Sequence, residues 1–277
     1  MTGMGAASST SSRSPASPST PGQGVLALLA GRRQARQVLL HRHVRRVLAD
    51  LMDLVLPSRC GGCGSPGHSW CPTCALHVSA VVFPRPRLTP PTPCPPGMPP
   101  VVAAGRYDGV LRVALVAAKD GGRADLRGVL APLLADAMAV AAADRTGIVI
   151  VPAPSSRAAV RRRGEAGVEI LARRAAALLP GHPPVLAALV PARRTADQAG
   201  LNSRARAANL HGAYAVPSRR AALVRGRRVL LVDDVVTTGA TLTESARALE
   251  EAGATVVGAA VVAATMRRRG RSADRLA

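Results

Sequence analysis

Residues 229–242 read VLLVDDVVTTGATL, and this stretch decides the fold. Its first four residues predict a buried strand, because strands of a sheet covered on both faces are continuous Val/Leu runs. Two adjacent carboxylates, Asp233 and Asp234, stand at the carboxyl end of that strand, and small hydroxyl residues and a glycine follow them. Ligands of open α/β sheets bind in the crevice at this edge, so the stretch predicts a binding site.

The residue types of this stretch suit a sugar phosphate. Adjacent carboxylates repel one another, and paired hydroxyl donors such as those of a ribose would relieve that repulsion. The free N–H groups at the start of the next helix, together with the hydroxyls of Thr237, Thr238 and Thr241, predict an anion site for a terminal phosphate. Gly239, beside Ala240, would let the backbone approach the phosphate oxygens. The structural alternative is a buried strand with a polar exit turn.

Strand-like and helix-like runs alternate from residue 101 onward. The predicted strands lie at 101–107, 148–154, 229–234 and 255–264, and the predicted helices at 108–119, 125–143, 158–179 and 239–252. This alternation predicts an α/β fold with a parallel sheet flanked by helices on both faces.

Composition divides the 277-residue chain into five predicted parts. These are a disordered Ser/Pro-rich extension at 1–33, an amphipathic helix (34–56) plus a cysteine cluster within 34–83, a Pro-rich linker at 84–100, the α/β domain at 101–266, and a basic tail at 267–277.

The cysteine cluster is the segment CGGCGSPGHSWCPTC at 60–74, in which Cys60, Cys63, Cys71 and Cys74 form two C-x-x-C pairs. Four sulfurs at this spacing suit Zn²⁺ in tetrahedral coordination. Such a closed site leaves no open position, which indicates a structural metal. The alternative is two disulfides, which a cytoplasmic chain disfavours.

The charge of the chain leaves a nucleic-acid partner open. Its formal net charge is +21, but Lys119 is the only lysine among 37 basic residues, so a general preference for arginine explains much of that charge. Aromatic residues make up 1% of the chain, which removes the usual stacking platform for single-stranded nucleic acid. The longest apolar run, 252–266, falls short of the ~20 residues that a membrane span needs. We therefore expect a cytoplasmic protein without a membrane span.

The aspartate pair and its loop resemble the motif by which type I phosphoribosyltransferases bind phosphoribosyl pyrophosphate (PRPP). Together with the four-cysteine knuckle, the chain resembles the ComF family. The resemblance rests on LADLMDLVLPSRCGGCG (48–64), IVIVPAPSSRAAVRRRG (148–164) and RRTADQAGLNSRARAANLHGAYAV (193–216), and it covers roughly residues 47–266. The chain departs from the family at 164–168, where the family often carries Asn and Gln.

The resemblance implies a type I phosphoribosyltransferase-like sheet preceded by a small zinc knuckle, and it implies roles for single residues. Asp233 and Asp234 would bind the ribose hydroxyls, and 237–241 would hold the 5-phosphate. The other residues implied at the PRPP site or in catalysis are Ser155, Ser156, Arg157, Arg194 and Lys119.

Three functions follow as hypotheses. The first is an enzyme in which a nitrogen base displaces pyrophosphate from PRPP, with Mg²⁺ held mostly by substrate oxygens. The second is a module that senses PRPP or a nucleotide-like molecule without turnover. The third, implied by the family's association with competence, is a DNA-uptake protein that binds single-stranded DNA or a protein partner. No residue pattern identifies the acceptor base.

Overall fold

The computed structural model describes residues 59–119, 121–143, 145–155, 166–192 and 210–266. The extension and helix predicted within 1–56 and the basic tail predicted at 267–277 lie outside these ranges. Among the described residues, no helix has the length and apolar character to span a membrane.

Each strand and helix predicted from residue 101 onward has a counterpart among the described elements, and three strands and two helices were not predicted. The helices are α1 (Pro72–Ser79), α2 (Gly109–Lys119), α3 (Arg127–Ala141), α4 (Gly167–Ala176), α5 (Ser218–Val224) and α6 (Ala240–Glu251), with a 3₁₀ turn at Ala124–Leu126. The strands are β1 (Val82–Leu88), β2 (Val101–Arg106), β3 (Ile148–Pro152), β4 (Val190–Pro191), β5 (Tyr214–Ala215), β6 (Arg228–Val236) and β7 (Thr255–Ala264).

The main sheet has five strands in the order β1-β2-β7-β6-β3. The pairs β2–β7, β7–β6 and β6–β3 are parallel, whereas β1 pairs antiparallel with β2. The parallel strands therefore end at one edge of the sheet, where α/β folds bind ligands. The predicted α/β class, with a mostly parallel sheet flanked by helices, is confirmed and is consistent with a type I phosphoribosyltransferase.

Alternate residues of the central strands pack in two separate hydrophobic clusters. Leu230 and Val232 belong to a cluster with residues of α2, α3 and α4, whereas Val229 and Leu231 belong to a cluster with residues of α6. Successive side chains of a strand point to opposite faces, so both faces of the sheet are covered by helices.

Two boundaries differ from the sequence prediction. The Pro-rich linker predicted at 84–100 contributes Pro84 and Pro86 to β1, which tolerates proline because it is an edge strand. Strand β6 continues past Asp234, because Val235 and Val236 still pair with the end of β7. The remaining domain boundaries stay predictions.

Candidate functional site

The two aspartates lie inside β6, two residues before its end. The side chain of Asp234 is buried, with 8% of the residue exposed. Its Oδ2 lies 3.4 Å from Nζ of Lys119, the last residue of α2. These two residues are far apart in the sequence, and the fold brings the end of α2 next to Asp234.

Asp233 occupies a different environment from its neighbour. Its Oδ1 accepts a hydrogen bond from the backbone N–H of Asp234 at 2.8 Å. Burial, followed by the negative charge of Asp234, raises the pKa of Asp233 to about 8, although Lys119 acts in the opposite direction. In the free protein, one of the two carboxyl groups therefore holds a proton up to neutral pH, as expected for adjacent acids in a partly buried site.

The loop at 237–241 leads into α6 through Gly239, which has φ +78° and occupies the N-cap position. A side chain at this position would be strained, and its Cβ would also collide with Met98 and approach Pro91. Both contacts come from the Pro-rich segment between β1 and β2, which therefore packs on the loop. Gly239 makes no side-chain cap to the first turn of α6, which leaves N–H groups there for an anion.

The turn after β3 lies beside the aspartates. Pro152 pairs with Val232, and the N–H of Ala153 donates to the carbonyl of Val232 at 2.8 Å. Half-buried Ser155 follows two residues later. The other residues expected to contact the substrate, Ser156, Arg157 and Arg194, lie outside the described residues.

Tyr214 is a member of the site that sequence reasoning missed. Its side chain packs against the small cluster of Leu210, Ala213 and Ala240, the last of which begins α6, and Thr241 lies near enough to lower the pKa of its hydroxyl. Asp233 and Lys119 are both near enough to act electrostatically on the phenol. The chain has only two tyrosines, and this scarcity was a signal that could have drawn attention to it.

The four cysteines of the cluster come together as their spacing predicts. One sulfur atom from each of Cys60, Cys63, Cys71 and Cys74 lies within 4.8 Å of all the others, and the Cys63 and Cys71 sulfurs are 3.6 Å apart. Zn–S bonds of about 2.3 Å in a tetrahedron place sulfurs roughly 3.8 Å apart, so the cluster could hold a zinc ion. None of the five described cysteines forms a disulfide.

Backbone N–H groups point at these sulfurs. The sulfur of Cys60 accepts from the N–H of Gly62 at 3.4 Å and of Cys71 at 3.3 Å, and the sulfur of Cys71 accepts from the N–H of Cys74 at 3.4 Å. Burial would raise the pKa of Cys60, but these donors outweigh it and lower that pKa to about 6. Donors of this kind favour thiolates, the form in which cysteine binds a metal.

Comparison with known proteins supports the fold. Residues 158–275 match the family model described as "Phosphoribosyl transferase domain". A 39-residue stretch is 56% identical to adenine phosphoribosyltransferase of Mycobacterium avium (strain 104), which covers 14% of this chain and 22% of that relative. Identity is 64% over 39 residues for the enzyme of Nocardia farcinica (strain IFM 10152), covering 14% of this chain and 20% of the relative. Identity is 46% over 52 residues for the enzyme of Corynebacterium kroppenstedtii (strain DSM 44385 / JCM 11950 / CIP 105744 / CCUG 35717), which covers 19% of this chain and 28% of that relative. The chain thus spans between 20% and 28% of the length of these relatives.

Proposed function

We propose that this protein binds PRPP at the edge of its sheet and transfers the phosphoribosyl group to a nitrogen base. The observation that carries the proposal is the juxtaposition of two carboxylates on β6 with the start of α6, whose first residue follows Asp234 by six positions. The phosphoribosyltransferase domain match at 158–275 supports it.

The start of α6 is the proposed binding site of the 5-phosphate. Its free N–H groups and the positive end of the helix dipole favour an anion, and the hydroxyls of Thr237, Thr238 and Thr241 add donors. Met98 and Pro91 pack on Gly239 and hold the loop in place before the ligand arrives.

The aspartates are the proposed acceptors for the ribose hydroxyls. Asp234 is paired with Lys119 in the free protein, and Asp233 is held by the N–H of Asp234, so both carboxyl groups are oriented in advance. Two hydroxyl donors would offset the repulsion that raises the pKa of Asp233.

The proposed reaction breaks the bond between the anomeric carbon and the pyrophosphate oxygen and forms a bond from that carbon to a ring nitrogen of the base. Pyrophosphate leaves with the bonding electron pair, and the nitrogen lone pair forms the new bond. Positive charge develops on the sugar ring in the transition state, and carboxylates bound to the ribose hydroxyls, as proposed for Asp233 and Asp234, would stabilise it. Mg²⁺, held mainly by pyrophosphate and ribose oxygens, would neutralise the leaving group.

The cysteine cluster supports the ComF-like version of this proposal. Its four sulfurs suit a structural Zn²⁺, and the cluster packs onto the same unit as the site, because Val110 of α2 and Trp70 contact it. The knuckle would then stabilise the helix that carries Lys119 rather than take part in the reaction.

Titration calorimetry with PRPP and Mg²⁺ tests the proposal. We expect saturable binding to the wild type and its loss in Asp233→Asn/Asp234→Asn, with Asp136→Asn, an exposed acid of α3, as the matched control. Pyrophosphate release should then be assayed with a panel of bases, beginning with adenine because the similar enzymes are adenine phosphoribosyltransferases.

Each outcome selects among the hypotheses. Binding with pyrophosphate release for one base establishes the transferase. Binding without release for any base establishes a PRPP-sensing module instead. A folded wild type that binds no PRPP overturns the proposal, and assays with single-stranded DNA at several salt concentrations would then test the DNA-uptake alternative.

A further inference from the structure

The short ribbon of β4 and β5 brings Tyr214 to the start of α6. Tyr214 pairs with Pro191 across the ribbon, and its side chain packs in a small cluster with Leu210, Ala213 and Ala240. Ala240 is the first residue of α6. The phenol ring therefore belongs to a cluster that includes the first residue of α6, where the 5-phosphate is proposed to bind.

The backbone of Tyr214 is held by a pair of charged side chains from the same helix. Its N–H donates to Oε1 of Glu244 at 3.3 Å, and its carbonyl accepts from Nη2 of Arg247 at 3.3 Å. Arg247 in turn donates two hydrogen bonds of 2.7 Å to Glu244 and pairs with Glu251. These contacts satisfy both polar groups of the Tyr214 peptide and fix the direction of its side chain.

A buried carboxylate such as that of Glu244 is unusual in a purely structural contact. It is 5% exposed, and burial alone would raise its pKa, but hydrogen bonds from Arg247 and from the Tyr214 N–H lower that pKa overall. Buried ion pairs contribute little net stability, because desolvation offsets their attraction. Geometric placement of Tyr214 is the better explanation for the Glu244–Arg247 pair.

The hydroxyl of Tyr214 stands among groups of the proposed site. Thr241 and Lys119 lower the pKa of this hydroxyl and Asp233 raises it, so all three side chains lie near it. Burial and the charge of Asp233 raise the pKa of Tyr214 to about 12, so the phenol keeps its proton at physiological pH and remains a hydrogen-bond donor.

We propose that Tyr214 is a further ligand-binding residue, whose hydroxyl donates a hydrogen bond beside Thr241 to the phosphate monoester of the sugar phosphate. Glu244 and Arg247 are positioning residues that act through Tyr214. This inference rests on the proposed function, because it assigns the first turn of α6 to the 5-phosphate.

Titrations of ribose 5-phosphate and of inorganic pyrophosphate into the full chain test the assignment. Tyr214→Phe keeps the ring and removes the hydroxyl. We expect its affinity for ribose 5-phosphate to fall about tenfold or more, since a hydrogen bond to a charged group contributes roughly 1.5–3 kcal/mol. Its affinity for pyrophosphate should not change. Tyr107→Phe is the matched control and should leave both affinities unchanged, because Tyr107 packs with the cluster on the other face of the sheet.

The positioning role has its own readout. Glu244→Ala should weaken ribose 5-phosphate binding, and Glu244→Gln, whose amide oxygen can still accept from the Tyr214 N–H, should restore most of it. The double variant Tyr214→Phe/Glu244→Ala should bind no more weakly than Tyr214→Phe, because both changes act through one hydroxyl. Additive losses would show that Glu244 acts independently of Tyr214 and overturn its positioning role.

Failure of this inference is distinguishable from failure of the proposed function. If Tyr214→Phe binds ribose 5-phosphate like the wild type while Asp233→Asn/Asp234→Asn does not bind it, the Tyr214 assignment is wrong and the proposed site stands. If the folded wild type binds neither ribose 5-phosphate nor PRPP, both are wrong.

Discussion

The cysteine cluster and the acidic site at the edge of the sheet differ in how their members are distributed along the chain. All four cysteines lie within residues 60–74, whereas the acidic site joins Lys119, Tyr214 and residues 233–241. A local cluster is specified by spacing alone, but a site assembled from distant residues depends on the fold. We therefore expect mutations in the cluster to act mainly on stability and mutations in the acidic site mainly on binding.

The largest expected effect is that of Cys74→Ser on stability. Cys74 is 1% exposed and is one of the four proposed zinc ligands. Loss of a structural metal couples directly to folding, so the free energy of unfolding should fall by about 4 kcal/mol or more. Chemical denaturation, together with a zinc assay of the purified chain, measures both consequences.

Cys94→Ser is the matched control, because Cys94 is exposed and lies outside the cluster. It should leave the zinc content and the unfolding midpoint unchanged. Full stability of Cys74→Ser without zinc would contradict the structural role of the cluster.

The second prediction is a loss of binding without a loss of stability. Asp233→Asn/Asp234→Asn should lower the affinity for PRPP about 100-fold, since two charge-assisted hydrogen bonds are lost. The free energy of unfolding should stay the same or rise slightly at pH 7.5, because the repulsion between two adjacent, partly buried acids is removed. Titration calorimetry and denaturation of the same samples would reveal whether binding and stability separate in this way. A variant that loses stability and binding together would remove the distinction between the two regions.

The same contrast explains what the sequence could predict. The strand–helix alternation and the Val/Leu runs predicted the parallel strands, and the two C-x-x-C pairs predicted the sulfur cluster. The antiparallel β1 was missed because its prolines disfavour a central strand, and only its edge position allows them. Tyr214 was missed because its place beside Thr241 depends on Glu244 and Arg247, and no local pattern encodes that contact.

The third prediction uses pH to separate the two aspartates. The folded-state pKa of Asp233 is raised to about 8, above its value in the unfolded chain. The folded state therefore keeps a proton that the unfolded state releases near pH 4, and stability should decrease as pH rises from about 4 to 8. Asp233→Asn cannot titrate, so its stability relative to wild type should rise between pH 5 and pH 8. The shift sets an upper limit of about 4 kcal/mol, which screening of the half-buried Asp233 by solvent reduces to about 2 kcal/mol.

Denaturation curves at pH 5, 6, 7 and 8 measure this difference. The cysteines titrate in both proteins, so their contribution cancels when the two are subtracted. A constant difference across the range would show that Asp233 ionises normally and that the two carboxylates do not interact strongly.

The smallest expected effect is that of Lys119→Met, which should change both stability and binding slightly. The Lys119 side chain is 56% exposed, so its 3.4 Å ion pair with Asp234 should contribute less than about 1 kcal/mol to stability. Its positive charge lowers the pKa of Asp233, and removing it should move the pH-dependent loss of stability to higher pH. PRPP affinity should fall about fivefold, or about 1 kcal/mol, because the ligand is an anion. Arg112→Met removes the same charge from an exposed position on α2 and should produce neither change. Equal effects of the two variants would mean that the general positive charge of the protein, rather than the placement of Lys119 at the acid pair, governs binding.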